Sequence, residues 1–382
     1  YRDSQIEQYN INGVETLVYV TPREIVNTNT TYSNKTYQYT HGYGTIITLA
    51  GSTNEYGNLK HIQNSFGDLS NSAIKTSEPR IYYGVENNNA CVINSQKEEI
   101  DYIDEDSNKE TTYNYQGNAG LTLNFFDRLI LGIKEGDLKL AFSGKMTSDS
   151  KIITNRNIIN RAKIVMPYLE YDNDPYMVID DSGNQHWVLD AYTTSNEYPF
   201  SQKIAIGLDE INYIRNSVKV IVNAYDGSMR FYITDRQDPI VMAYNKMYKG
   251  LFEDETNQIP EDISKHFVYP RKLYDIQSEV LEKYHSIKPE VLYRGNDIWQ
   301  IAETSVSGKV EKMNAYYTMC KTQDGKETLG LVLPYTVYGK QNLTSYIIGT
   351  YENGKSKLQV YRFSSNSNVL GPIQLETQLN ED

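Results

Sequence analysis

Apolar residues in this chain come only in short runs. Leu329–Leu333 is among the longest, far below the roughly 20 residues a bilayer-crossing helix needs. Asn, Asp and Gly stand between the runs, so most of the sequence can bury apolar surface only as short strands joined by tight turns. Strands are expected at 14–20, 37–50 (broken by Gly42 and Gly44), 80–84, 90–94, 99–103, 176–179 and 186–192. Val218–Tyr225 and Met229–Thr234 flank Asp226-Gly227, the strongest hairpin signal, since a type I′ turn wants two residues tolerant of positive φ. The last ninety or so residues read as a meander of strands at 315–321, 328–334, 345–351 and 357–363, turning at Asp324-Gly325 and Asn353-Gly354. The stretches 51–77 and 104–110 read as loops.

The period changes in three places. Apolar residues at 121, 125, 126, 129, 130 and 133 follow a helical repeat. A second helix is expected over 150–168 and a third over 271–284, after Pro270. Strand blocks with a few inserted helices give an α+β class built mainly of antiparallel sheets. A propeller-like all-β arrangement with helical insertions is the alternative. The regions are a mainly β segment 1–120, a helical insertion 121–168, a β region 169–240 with the hairpin at 226–227, a helical segment 241–290 and a C-terminal meander 291–382.

The formal charge of -12 is spread along the chain. That argues against nucleic acid, whose binders need a basic stripe. Tyrosine is over-represented, at 34 against 9 Phe and 2 Trp. Its wet hydroxyl suits half-exposed sheets and polar-ligand grooves; codon bias in an AT-rich genome gives the same excess. Cys91 and Cys320 lie far apart and read as buried thiols in preference to one long-range disulfide. With no long apolar run the chain is expected to be water-soluble, and from its start at Tyr1 it is expected to be a processed product or a piece cut from something larger.

The densest polar-aromatic segment is 171–201. Spaced carboxylates beside rings are what a sugar-binding cleft uses, rings for apolar sugar faces and carboxylates as acceptors or acid and base. Asp174, Asp190 and Glu197 are the acid/base candidates, and Trp187, Tyr192, Thr193 and Thr194 the binding candidates. Solvated turns between strands would look the same. Asp172 and Asp174 could share a calcium ion, as alternate oxygen ligands do, but Pro175 and the lack of a distal glutamate spoil an EF-hand register. No other cofactor is expected. His41 sits in Thr40-His41-Gly42-Tyr43-Gly44; glycines there allow a tight bend or close chain approach, leaving the imidazole either capped structurally or facing a cleft. No nucleophile elbow, phosphate loop or dinucleotide fingerprint occurs.

Several segments resemble, in order along nearly the whole chain, the bacterial Uncharacterised Protein Family 0182. They include Thr21-Pro22-Arg23-Glu24-Ile25, Tyr39–Gly44, Pro79-Arg80-Ile81-Tyr82-Tyr83-Gly84, Asp174-Pro175-Tyr176, Asp190–Ser195, Asn212–Lys219, Asn223–Gly227 and Leu333-Pro334-Tyr335-Thr336. The resemblance implies a membrane protein with N-terminal transmembrane helices and a large domain outside the cytoplasm, of which this chain would be most. It implies no catalytic residue. His41, Arg80, Asp174, Asp190, Thr193, Thr194, Arg215 and Asp226 become candidates for a shared site or shared turns. The expected function is therefore an extracytoplasmic domain at the cell membrane, partnered by its own transmembrane helices, that binds an envelope component or another protein. The alternative is an enzyme acting on envelope glycan or lipid-linked sugar through paired carboxylates.

Overall fold

Asn12 and Gly13 adopt φ of 53° and 85°, the backbone a two-residue hairpin loop requires. They join strand Gln5–Ile11, which the sequence did not announce, to the expected strand Val14–Pro22. The computed structural model in which this is seen describes residues 4–26, 30–86, 89–104, 106–134, 136, 138–206, 209–254, 256–306, 308–321, 325, 327–364 and 366–381. The chain forms two compact units: Tyr1–Thr194 with Arg215–His266, and Ser195–Ile214 with Phe267–Asp382.

In the first unit the hairpin extends into a four-stranded sheet through Thr45–Thr53 and Leu59–Gln63. A second sheet has five strands, Glu170–Tyr171, Gln185–Ser195, Tyr213–Asn223 and Met229–Ile233 in order, with Tyr176–Ile179 also paired to Gln185–Ser195. Trp187, Leu189, Ala191, Val218, Val220 and Val222 alternate inward from this sheet to meet Val18, Val20 and Ile47 in one apolar core. In the second unit a sheet of Trp299–Ile301, Glu327–Val337, Leu343–Glu352 and Lys355–Arg362, with Tyr316–Lys321 paired to Glu327–Val337, buries Leu331, Leu333, Tyr335 and Ile347 beside helix Arg271–Tyr284.

The described residues are about 19% helical and 39% strand, the ladders mostly antiparallel, so the class is α+β. The sheets of two, four and five strands do not repeat a blade, which removes the propeller-like alternative. Helix 271–284 and the two-residue turn Asn353-Gly354 form as expected, with φ of 52° and 76° in the turn. Asp324 lies outside the described residues.

Five local expectations need correcting. Residues 151–153 form a strand paired with Cys91–Ile93, and the helix starts only at Ile158. Ile152 and Ile153 are β-branched, and Asn157 caps the helix by accepting the Asn160 N–H at 2.9 Å. The Asp226-Gly227 hairpin exists, but its strands close at Val222↔Met229. The Asn223 side chain accepts the N–H groups of Tyr225 and Asp226 at 2.9 and 3.1 Å, making a wider Asx-type loop. The strand at 80–84 stops after Ile81, and Tyr37, the expected first residue of the strand at 37–50, instead ends the short helix Tyr32–Tyr37, with strands only at Gly42–Tyr43 and Thr45–Thr53. Leu59–Gln63 is a strand inside the supposed loop 51–77. Cys91 and Cys320 are both buried free thiols. Among the described residues, no helix is long and apolar enough to cross a membrane.

Candidate functional site

Four of the segments singled out above close on one another in the first unit. The Glu24 carboxylate accepts the backbone N–H groups of Val85 and Glu86 at 2.8 and 3.0 Å. The Arg23 carbonyl accepts from Tyr43 N–H at 3.0 Å, and Gly44 N–H donates to the Pro79 carbonyl at 2.6 Å. Gly42 and Tyr43 then pair with Ile81 and Arg80. Past Ile81 the chain turns away, because the N–H groups of Tyr82 and Tyr83 both donate to the Ala224 carbonyl, at 2.9 and 3.0 Å. Only glycine fits at 42, where a Cβ would collide with the Arg23 carbonyl.

This knot sets Arg80 against Asp101 in a two-pronged ion pair, Nε to Oδ1 at 2.9 Å and Nη2 to Oδ2 at 2.8 Å. Its remaining prong reaches Glu78 at 3.1 Å. The guanidinium lies 3.5 Å from the Tyr113 ring centre, a close cation–π contact. The Tyr113 and Tyr225 hydroxyls share a 2.8 Å hydrogen bond, and Tyr225 stacks on Tyr115 at 4.7 Å. Burial raises the Asp101 pKa while Arg80 pulls it down.

His41 lies behind this group. Its Nδ1 is 3.1 Å from the Gly42 carbonyl, which can only accept, so Nδ1 carries the proton. Nε2 is buried without a hydrogen bond, 3.9 Å from Asp101 Oδ1. Burial pushes the His41 pKa down to about 3, helped by the Arg80 and Arg156 charges and opposed by the Gly42 carbonyl. The imidazole is therefore neutral throughout the physiological range and does not shuttle protons there. Further in, Glu99 accepts from the Tyr82 hydroxyl at 2.7 Å and from Thr40. The fully buried Arg156 donates to the Tyr82 carbonyl at 2.7 Å and to the Thr40 carbonyl.

Exposure grades outward. His41 is sealed, whereas the Arg80 and Glu78 side chains are 17% and 24% exposed, and Tyr113 and Tyr225 are half-buried. What reaches solvent is thus a guanidinium, a carboxylate and two tyrosine rings, all preorganised from behind.

The other sequence candidates are placed differently. Asp190 is buried and paired with the fully buried Lys219. Burial raises its pKa, Lys219 lowers it and nearby Asp172 raises it. Asp172 accepts from the Tyr192 hydroxyl at 2.8 Å. Thr193 and Ser217 both donate to Asp238, whose other oxygen caps helix Pro239–Met247 at Ile240 N–H, 3.0 Å away. Trp187 is core, its Nε1 donating to the Tyr83 carbonyl at 2.9 Å. Asp174 accepts from Gln5 at 2.6 Å, and Arg215 pairs with Asp235 at 2.9 Å. Thr194 is half-buried at the end of the first unit, and Glu197 is exposed in the second. Asp172 and Asp174 thus point to separate partners, and no three His, Cys, Asp or Glu among the described residues are grouped as a metal would need.

Sequence reasoning missed Asp101, Glu99, Arg156, Lys219 and Asp238. Two left a signal. Lys219 interrupts the apolar run Val218-Lys219-Val220-Ile221-Val222, and a charge in a buried strand demands a partner. Asp238-Pro239 is a helix start.

The fold is thus an antiparallel α+β chain whose first unit carries a preorganised Arg-Asp-Tyr cluster with the Glu78 carboxylate at its rim. The chain belongs to the uncharacterised protein family UPF0182, whose sequence model matches residues 1–382. It is 39% identical over 391 residues to a UPF0182 protein of Clostridium botulinum, covering 100% of this chain and 43% of that protein. A UPF0182 protein of Caldicellulosiruptor saccharolyticus is 37% identical over 390 residues, with 42% of its length covered. The chain therefore spans under half the length of these relatives. No solved structure matches it.

Proposed function

We propose that this chain is a recognition domain without catalytic activity, held on the extracytoplasmic side of a bacterial membrane protein, and that it binds a polar envelope component or partner protein through the cluster around Arg80. One observation carries the reading. The cluster's imidazole is sealed and neutral, while Arg80, Glu78, Tyr113 and Tyr225, fixed in place by their contacts with one another and with Asp101, form a partly exposed polar-aromatic rim on which a partner can dock. The location rests on the family resemblance. The enzyme alternative asks for two working carboxylates among Asp174, Asp190 and Glu197, and Asp190 is buried and already paired with Lys219 of the neighbouring strand.

A thermal-shift screen of envelope sugars, lipid headgroups and divalent ions tests this. A binding compound should raise the melting temperature of the native chain, and Arg80→Lys should abolish that rise, because an ammonium cannot hold Asp101 in the two-pronged pair that fixes the rim. A rise untouched by Arg80→Lys, or turnover of a glycan, would sink the proposal.

A further inference from the structure

The helix expected from the repeat at 121–133 forms over Phe125–Lys134, with Phe126, Ile130 and Ile133 turned outward. Its first turn and the residues just before it make one wall of a cleft of about 460 Å³, within the size range of small-molecule sites. The loop 146–150 makes the other wall. Both walls are pinned. Leu121 and Ile152 exchange backbone N–H···O bonds, each of 2.9 Å, which sets the start of the first wall against the base of the loop. Ser150 Oγ donates to the Asn94 carbonyl at 2.9 Å and accepts the Thr147 N–H at 2.8 Å, closing the loop on itself. Asn124 Oδ1 accepts the Asp127 N–H at 3.0 Å, so the amide nitrogen of Asn124, which lines the cleft, keeps its two donors for other use.

Arg128 stands out among the lining residues. It is half-buried, and its Nε is sealed from solvent without an acceptor. Its Nη1 donates to the Met146 sulfur at 3.4 Å, a weak acceptor for a charged donor. It forms no ion pair among the described residues. By contrast Arg80, Arg156, Arg161, Arg215 and Arg271 all reach oxygen acceptors. A charged donor short of an acceptor is costly. An oxyanion seated in place of the flexible Met146 thioether gives the guanidinium the oxygen it lacks. Asp127 also lines the cleft, exposed and with no ion pair among the described residues, Arg128 included. The lining therefore carries one charge of each sign, unpaired. A phosphate dianion gains from Arg128 and is repelled by Asp127. A molecule bearing one carboxylate and one ammonium suits both. Leu123 and Met146, both half-buried in the lining, add an apolar wall for a side chain.

We infer that this cleft is a second binding site, taking a free α-amino acid with an apolar side chain: its carboxylate meets Arg128 and the Asn124 amide, its ammonium meets Asp127, and its side chain lies against Leu123 and Met146. The inference goes beyond the recognition reading and uses no residue of the Arg80 cluster, so the failure of one is distinguishable from the failure of the other.

The test is isothermal titration calorimetry of the purified chain with leucine, each enantiomer in turn, at millimolar concentration. At least one enantiomer should bind. N-acetyl-leucine lacks the ammonium and leucinamide lacks the carboxylate; each should bind about tenfold more weakly or worse, the equivalent of one lost charge-assisted contact. R128M should remove leucine binding. Without leucine its melting temperature should equal or exceed that of the native chain, because the substitution deletes a buried donor that has no acceptor. D127N should weaken leucine about tenfold and erase its advantage over N-acetyl-leucine. Should R128M fold poorly, D127N, at its exposed position, is read by itself. No binding of either enantiomer, binding indifferent to R128M or to D127N, or N-acetyl-leucine binding the native chain as tightly as leucine would overturn the inference.

Discussion

Burial decides the chemistry of the two candidate residues that looked most reactive. His41 has a folded-state pKa of about 3 against an ordinary 6.5. The unfolded chain therefore takes up a proton that the folded chain refuses. The contribution of His41 to stability is complete above pH 6.5 and is lost as pH falls toward 3. His41→Asn should accordingly melt less steeply than the native protein over that window, with parallel behaviour above it. Identical pH slopes would show that the imidazole is not sealed. Asp190 tells the same story with a partner. Removing one member of a buried pair strands the other, at a cost of about 3–5 kcal/mol. Asp190→Asn and Lys219→Met should each lose about that much in urea unfolding, and the double variant should recover most of it. Additive losses would mean the two charges do not interact.

At the level of elements, legibility followed how local the cause was. Helix 271–284 and the Asn353-Gly354 turn depend on residues within a few positions, and both were readable. The hairpin at 226–227 was readable as a hairpin but not as a turn. Its geometry answers to Asn223 and to the Tyr83 ring, which lies so near Gly227 that a Cβ would collide with it. Gly13 has a similar positive φ, 85° against 67°, with open space around it. Gly13→Ala should therefore cost only the backbone term, about 1–2 kcal/mol. Gly227→Ala should cost clearly more, since the buried Tyr83 must move. Both lie in the first unit, so chemical denaturation compares them directly, and equal losses would refute the steric argument. The outward turn of helix 125–134 was illegible for another reason: its periodicity announces an apolar face but not what that face meets.

At the level of the whole chain, the candidate site is an assembly of distant segments. His41 and Arg80 were both visible as candidates, but Asp101, which joins them, lies in a strand whose composition gave no hint. The segments around 23, 42, 81 and 224 come together through backbone hydrogen bonds, and no sequence period encodes such contacts. The second unit likewise includes Ser195–Ile214, taken from the middle of the first; no shift in local composition marks either crossing. The central claim is that these segments build a binding surface at Arg80 rather than an acid/base site near Asp174 and Asp190. Hydrogen–deuterium exchange, with and without the strongest compound from the thermal-shift screen, tests it most directly. The account expects added protection at residues 78–82, 113–116 and 223–227. Protection confined to 172–176 and 188–194 would contradict it.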